Sequence, residues 1–155
     1  MIYDIYTDGS CNQGSVDIIN TNGGWAFLIV DENSNIVMQE SGSELSTTNN
    51  RCEMEAIIQS IVTINNNKHV FNSENNFIIN CDSAYIVNAF EDGWIDKWDR
   101  NNWKTSKGED VLNQDCWKKL ISLKKMYNMK FNKVKRKSNT FAKKVDFLAR
   151  EKMRS

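Results

Sequence analysis

Two apolar stretches far apart in the chain each end in an acid, and this pairing constrains the fold more than any other feature. Residues 1–10, Met1-Ile2-Tyr3-Asp4-Ile5-Tyr6-Thr7-Asp8-Gly9-Ser10, alternate: Ile2, Asp4, Tyr6 and Asp8 share one side, Tyr3, Ile5 and Thr7 the other. A β-branched and aromatic run that stops at Asp-Gly is a strand feeding a turn. Phe77-Ile78-Ile79-Asn80-Cys81 is a second such strand, followed at once by Asp82-Ser83. Taken alone, Asp8-Gly9 is an ordinary turn signal. Its recurrence at Asp82 changes the reading. If the strands are parallel neighbours, the two acids emerge side by side, and carboxylates so placed repel unless a cation lies between them.

The remaining elements supply a sheet and its cover. Gly23 to Val30 is almost wholly apolar, as in a strand buried on both faces, and Asp31-Glu32-Asn33-Ser34-Asn35 turns it into a partner strand over Ile36 to Ser41. Thr47-Thr48-Asn49-Asn50 offers caps for a helix whose Met54, Ile57, Ile58 and Ile61 repeat at helical spacing, stopping near Asn65-Asn66-Asn67. A short helix, Ala84 to Phe90, is capped by Ser83. A longer one covers Cys116 to Tyr127, a half-buried strand runs from Met129 to Val134, and a last helix starts near Thr140. The spacing predicts one α/β domain over residues 1–155, with three antiparallel strands first.

Composition narrows the chemistry. No apolar run approaches the roughly 18 residues of a membrane span, and no signal peptide is visible, so an intracellular setting without a membrane is expected. The four cysteines are widely separated and there is one histidine, His69, which argues against zinc and for reduced thiols. Charge is split along the chain. Residues 1–93 carry two bases against thirteen acids, a net of −11, and residues 94–155 carry eighteen against seven, a net of +11. The basic half suits a polyanion, and the acids elsewhere suit a metal. Interleaving of the halves in space would instead neutralise both.

Three further segments carry candidate residues. Glu53 and Glu55 flank the apolar stripe of the first long helix on opposite sides, and either could reach the sheet edge. From Trp94 to Lys107, Trp94, Trp98 and Trp103 alternate with Lys97, Arg100, Lys104 and Lys107, a pattern that suits a nucleic-acid backbone or a small satellite core. Asp146 lies beside the Phe141, Val145, Leu148 and Ala149 stripe. It is the only acid between Lys135 and Arg150, which hints at a positive neighbour, although the local pattern favours a surface aspartate.

Together these segments resemble the type 1 ribonuclease H family over nearly the whole chain. Thr7-Asp8-Gly9-Ser10-Cys11 resembles its TDGSC opening, Thr47 to Glu53 its TTNNRxE, Cys81-Asp82-Ser83-Ala84-Tyr85 its TDSxY, Trp103-Lys104-Thr105 its WKT, and Val145 to Ala149 its closing D-x-LA. The resemblance implies a ribonuclease H-like fold: a five-stranded mixed sheet of order 3-2-1-4-5, flanked by helices. It selects Glu53 over Glu55 and implies a catalytic and metal-binding quartet of Asp8, Glu53, Asp82 and Asp146. An all-carboxylate set is a hard-oxygen site for Mg²⁺, with Mn²⁺ as a substitute.

The implied reaction is endonucleolytic hydrolysis of the RNA strand of an RNA–DNA hybrid, in the setting of DNA replication. Two ions about 4 Å apart would serve it, leaving 5′-phosphate and 3′-hydroxyl ends. By the same analogy Asp8 bridges both ions, Glu53 and Asp82 hold the one nearer the leaving group, and Asp146 holds the one bearing the water. Thr48, Asn49, Asn50 and the main chain at Cys11 would read 2′-hydroxyls, with capping as the other role of those amides. Trp94, Lys97, Trp98, Trp103, Lys104 and Thr105 would hold the DNA strand. The implied partner is the hybrid alone, the protein acting as a monomer in the cytoplasm, or in a nucleus or organelle.

Three departures stand out. The family often carries a histidine in the loop before the last acid, whereas Arg136 to Lys143 has none, so slower turnover with intact metal binding is expected. The loop from Cys11 to Gly23 is longer than usual, which blurs any role for Asn12 or Gly14. Ala84 stands where a glutamine often meets the substrate. The competing readings are a hybrid-binding module that does not cut and a ribonuclease H domain of a reverse transcriptase. An integrase or junction resolvase shares the carboxylates but not the TTNNRxE and WKT segments.

Overall fold

The computed structural model describes residues 1–11, 22–45 and 47–154. Asn12 and Gly14, with most of the long loop noted above, lie outside the described residues. The strands are β1 (Ile2–Cys11), β2 (Asn22–Val30), β3 (Ile36–Leu45), β4 (Asn76–Cys81) and β5 (Asn128–Lys133). The helices are α1 (Asn49–Asn65), α2 (Ala84–Glu91), α3 (Trp94–Arg100), α4 (Gln114–Lys124) and α5 (Thr140–Arg154). The sheet order is β3-β2-β1-β4-β5, as expected. β1 pairs antiparallel with β2 and β2 with β3, while β1–β4 and β4–β5 are parallel.

The apolar run of β2 is explained by cover on both sides. Trp25, Phe27 and Ile29 join Tyr3 and Ile5 of β1 in the main core beneath α1, where Met54, Ile57, Ile58 and Ile61 are buried. Ala26, Leu28 and Val30 face the other way and pack on Val145 and Ala149 of α5. α5 comes very close at Gly24: a Cβ there would stand 2.1 Å from the carbonyl oxygen of Ala149, so the strand accepts only glycine.

Some boundaries differ from the expected ones, for local reasons. β3 continues past Ser41 to Leu45 because Gly42 leaves room for the Trp25 indole, whose nearest ring atom would be 2.5 Å from an added Cβ. α1 starts where Thr48 Oγ1 accepts from the Arg51 amide at 3.3 Å, so Thr48 is the cap and Asn49 and Asn50 are not. α4 spans Gln114–Lys124, beginning before Cys116 and ending before Tyr127. Tyr127 instead donates from its hydroxyl to Asn65 at 2.9 Å, tying the start of β5 to the end of α1.

Candidate active site

The parallel register of β1 and β4 sets the site. Tyr6 lies opposite Asn80 in the last registered pair, so Asp8 and Asp82, each two residues further on, stand at the same level. β4 ends just before Asp82, but β1 runs on to Cys11 because Gly9, Ser10 and Cys11 stay paired with β2, so Asp8-Gly9 is not the turn that its sequence suggests. Glu53 comes down from the second turn of α1. That approach depends on Gly9, where a Cβ would stand 2.4 Å from the Glu53 amide nitrogen and 2.5 Å from the Cys52 carbonyl carbon. One carboxylate oxygen each from Asp8, Glu53 and Asp82 lies within 4.8 Å of the others. The choice between the two glutamates is thereby made: Glu55 points elsewhere and accepts from Gln59 at 2.7 Å.

These acids are crowded where water is scarce. Asp8 is 5 % exposed and Glu53 9 %, with Asp82 half-buried. Burial first, and then the neighbouring Asp82 charge, pushes the Asp8 carboxyl up to about 7. Burial together with Asp8 and Asp82 raises Glu53 well above the usual carboxylate range. The Asp8 Oδ1 accepts from the Gly9 amide at 2.9 Å. Glu53 Oε2, by contrast, is buried with no hydrogen-bond partner among the described residues. A buried, unpartnered carboxylate oxygen facing two more carboxylates fits a hard divalent cation.

Asp146 is a correction to its local sequence reading. It is 3 % exposed and not a surface residue, because α5 turns it inward beside β1, where it is one of the acids that help to raise the Asp8 carboxyl. The hint of a positive neighbour holds three times over. Arg136 reaches Asp146 Oδ1 at 3.0 Å through both Nε and Nη2, Arg150 Nε is 3.2 Å from Oδ2, and Lys137 Nζ is 3.7 Å from Oδ2. Arg150 was not singled out from the sequence. Its signal was the i,i+4 spacing from Asp146 on one helix. Asp146 thus stands next to the triad but is already matched by cations, whereas the triad is not.

Asp8, Glu53 and Asp82 open into a cleft of about 460 Å³ that also takes in residues Gly9 to Cys11, Asn49, Asn50, Arg136 and Arg150. Asn49 and Asn50 are exposed at the start of α1, and Thr48 behind them is occupied as the cap. Cys11 lines the cleft and points its thiol to the Thr47 carbonyl, 3.6 Å away. All four cysteines are free, as expected. His69 is exposed between α1 and β4 and does not line the cleft.

The tryptophan segment is both satellite core and surface. Trp98 packs against Trp94, Trp103 and Trp117 at ring distances of 6.4, 6.2 and 5.4 Å. Trp103 is buried, with Lys118 5.2 Å over its ring, so it supports the segment from inside and offers little to a ligand. Trp94, Lys97, Trp98, Lys104 and Thr105 line a second hollow of about 440 Å³. Lys97 is exposed, Lys104 is paired with Asp110, and the Thr105 hydroxyl accepts from the Glu109 amide at 3.2 Å.

The sequence model described as RNase H matches residues 2–154. The chain belongs to the RNase H family. Among curated relatives, the Ribonuclease H of Caldicellulosiruptor saccharolyticus is 40% identical over 131 residues, covering 84% of this chain and 81% of that protein. The Ribonuclease H of Chlorobium chlorochromatii is 39% identical over 150 residues, 95% and 92% of the two chains. Among solved structures, LC9-RNase H1, described as a type 1 RNase H with the type 2 active-site motif, superposes with a TM-score of 0.81 at 21% identity, over 98% of this chain and 72% of that one. LC11-RNase H1, solved in complex with an RNA/DNA hybrid, gives 0.70 at 21% identity over 98% and 96%.

Proposed function

We propose that the protein is an endoribonuclease that hydrolyses the RNA strand of RNA–DNA hybrids, using two divalent cations, Mg²⁺ or Mn²⁺, held among Asp8, Glu53, Asp82 and Asp146. The observation that carries this is the buried, partnerless Glu53 oxygen set against Asp8 and Asp82. Bound cations would supply a nucleophilic water and charge stabilisation for the leaving 3′-oxygen, giving a 5′-phosphate and a 3′-hydroxyl. The chain does the rest. Asp8 and Glu53, whose carboxyls burial raises, would give up protons as a cation binds, and Asp82 would add a third oxygen ligand. Asn49, Asn50 and the backbone near Cys11 hold the minor groove, where 2′-hydroxyls distinguish RNA from DNA. Lys97 and Lys104, braced by the tryptophan cluster, meet the phosphates of the DNA strand. The protein works as a single catalytic domain and needs no protein partner.

The test is incubation with Mg²⁺ and labelled hybrid, duplex RNA, single-stranded RNA and duplex DNA, beside Asp82→Asn. Cleavage confined to the RNA of the hybrid, and lost in Asp82→Asn, is the expected result. Binding without cutting would make the protein a hybrid-binding module.

A further inference from the structure

The cations around Asp146 exceed what one carboxylate needs. Arg150, one turn further along α5, is already 3.2 Å away and rides on the same rigid helix. Arg136 adds two contacts, both to Oδ1, through Nε and Nη2. Its side chain is 51% exposed and lines the same cleft as Asp8, Glu53 and Asp82. A guanidinium has five donors. Among the described residues, the two contacts with Asp146 leave the others for a further acceptor.

The backbone holds this residue in place at a cost. Ser138 donates to the Lys135 carbonyl at 3.0 Å, closing a tight turn with Arg136 and Lys137 at its centre. Lys137 adopts φ 58°, a left-handed conformation that a lysine resists. The turn presents Arg136 to the cleft, while Lys137 lines a narrow hollow behind it and reaches Asp146 from that side. With Arg150 and Lys137 both already at Asp146, the guanidinium at the cleft is the one placed to receive a phosphate beside the carboxylates.

Building on the proposed function, we propose that Arg136 has two partners in turn. It holds Asp146 while that carboxylate lacks a metal ion. When a cation takes Asp146, the guanidinium swings to a phosphate of the RNA strand in the same cleft. Two expectations of opposite sign follow. Arg136 competes with the cation and so weakens its binding in the free protein. It strengthens hybrid binding, and more so when a cation is present.

The test has two arms. In the first, Mn²⁺ is titrated calorimetrically into the protein without nucleic acid. Arg136→Ala should bind Mn²⁺ about three- to tenfold more tightly than the parent, with Arg136→Lys in between. In the second, hybrid affinity is measured against salt in an Asp82→Asn background, with Mg²⁺ and with EDTA. Arg136→Ala should make the slope of log affinity against log salt shallower by about one in Mg²⁺, and change it little in EDTA. Unchanged Mn²⁺ affinity, or an equal loss of hybrid affinity with and without Mg²⁺, makes Arg136 a structural ion pair only and overturns the proposal. Circular dichroism shows whether each variant is folded, and Arg136→Lys, which keeps the charge, carries both arms if the alanine variant is not. If the parent binds no hybrid in either condition, the proposed function falls and takes the phosphate contact with it. The competition for Asp146 is then decided by calorimetry.

Discussion

Replacing Asp8 by asparagine should abolish cleavage and yet stabilise the metal-free protein. Asparagine keeps the shape of the side chain and the oxygen that accepts from the Gly9 amide. It removes the charge that Glu53 and Asp82 oppose. Burial and the Asp82 charge push the Asp8 carboxyl up to about 7, far above the usual carboxylate range. In free energy that displacement sets an upper bound of ~4 kcal/mol on the destabilisation from ionised Asp8. Because the proton is shared with Glu53 and the side chains can relax, ~1–3 kcal/mol is the realistic gain on substitution. For a chain of this size that raises the melting temperature by about 3–10 °C. The sign is fixed by proton uptake. Between about pH 4 and 7 the native state binds more protons at Asp8 than the unfolded chain does, so the parent's stability falls as pH rises through that window. The advantage of Asp8→Asn should therefore be well under half as large at pH 5 as at pH 8. Added Mg²⁺ should reverse the order, since the parent gains binding free energy that the variant loses. The assay is thermal unfolding by calorimetry in EDTA and in Mg²⁺ at both pH values. A variant that melts at or below the parent in EDTA at pH 8 refutes the account of a strained triad.

Three further expectations follow from other parts of the structure. Gly9→Ala drives a methyl into the backbone at Glu53 and Cys52 and should cost about 1–3 kcal/mol, with activity falling further than stability explains, as melting and cleavage assays on one preparation would show. Asp115, bonded to Arg51 at 2.7 Å, is lowered to about 2, so its contribution is present above about pH 4 and lost as pH falls towards 2; the pair is exposed, and Asp115→Ala should cost no more than ~1 kcal/mol at pH 7 in urea unfolding. Lys137→His puts a group that titrates near neutrality into the loop that lacks one, and turnover should rise with a pH dependence absent from the parent; an unchanged rate and profile would count against the expected role of a loop histidine.

How much of this could be read in the sequence depended on how local the cause was. The acid just past β4, the all-apolar β2 and the Ser83 cap are local patterns, and those elements stand close to where they were expected, whereas β1 runs three residues beyond Asp8 because pairing with β2 overrides the Asp-Gly turn signal. The choice between Glu53 and Glu55 was not local. Periodicity puts both beside the stripe, and what decides is the missing side chain at Gly9, a contact across more than forty residues. The burial of Asp146 was not legible in its local pattern for a related reason. Its burial comes from α5 lying against β1, and its partners Arg136 and Lys137 come from a separate turn. Trp103, singled out as a ligand contact, is buried because the left-handed backbone at Asn102 and Trp103 turns the indole towards Trp98 and the Lys118 side chain. An alternation of tryptophan and lysine cannot distinguish that from an open binding face.

The charge split along the chain takes on a more specific meaning in three dimensions. The halves meet at the site, but unevenly. Asp8, Glu53 and Asp82, all from the acidic half, face one another with a carboxylate oxygen left unpartnered. Asp146, from the basic half, is surrounded by Arg136, Lys137 and Arg150. A cation entering this cleft meets at the triad three acids that, among the described residues, no side-chain cation pairs with, so that only protons compete with it. A second cation at Asp146 has to displace side chains that are tethered and therefore always present at high local concentration. Occupancy should accordingly come in two steps, tight at the triad and weak at Asp146, and Arg136→Ala should narrow the gap by improving only the second. A single step in the Mn²⁺ titration of the parent protein, with stoichiometry two, would contradict that order.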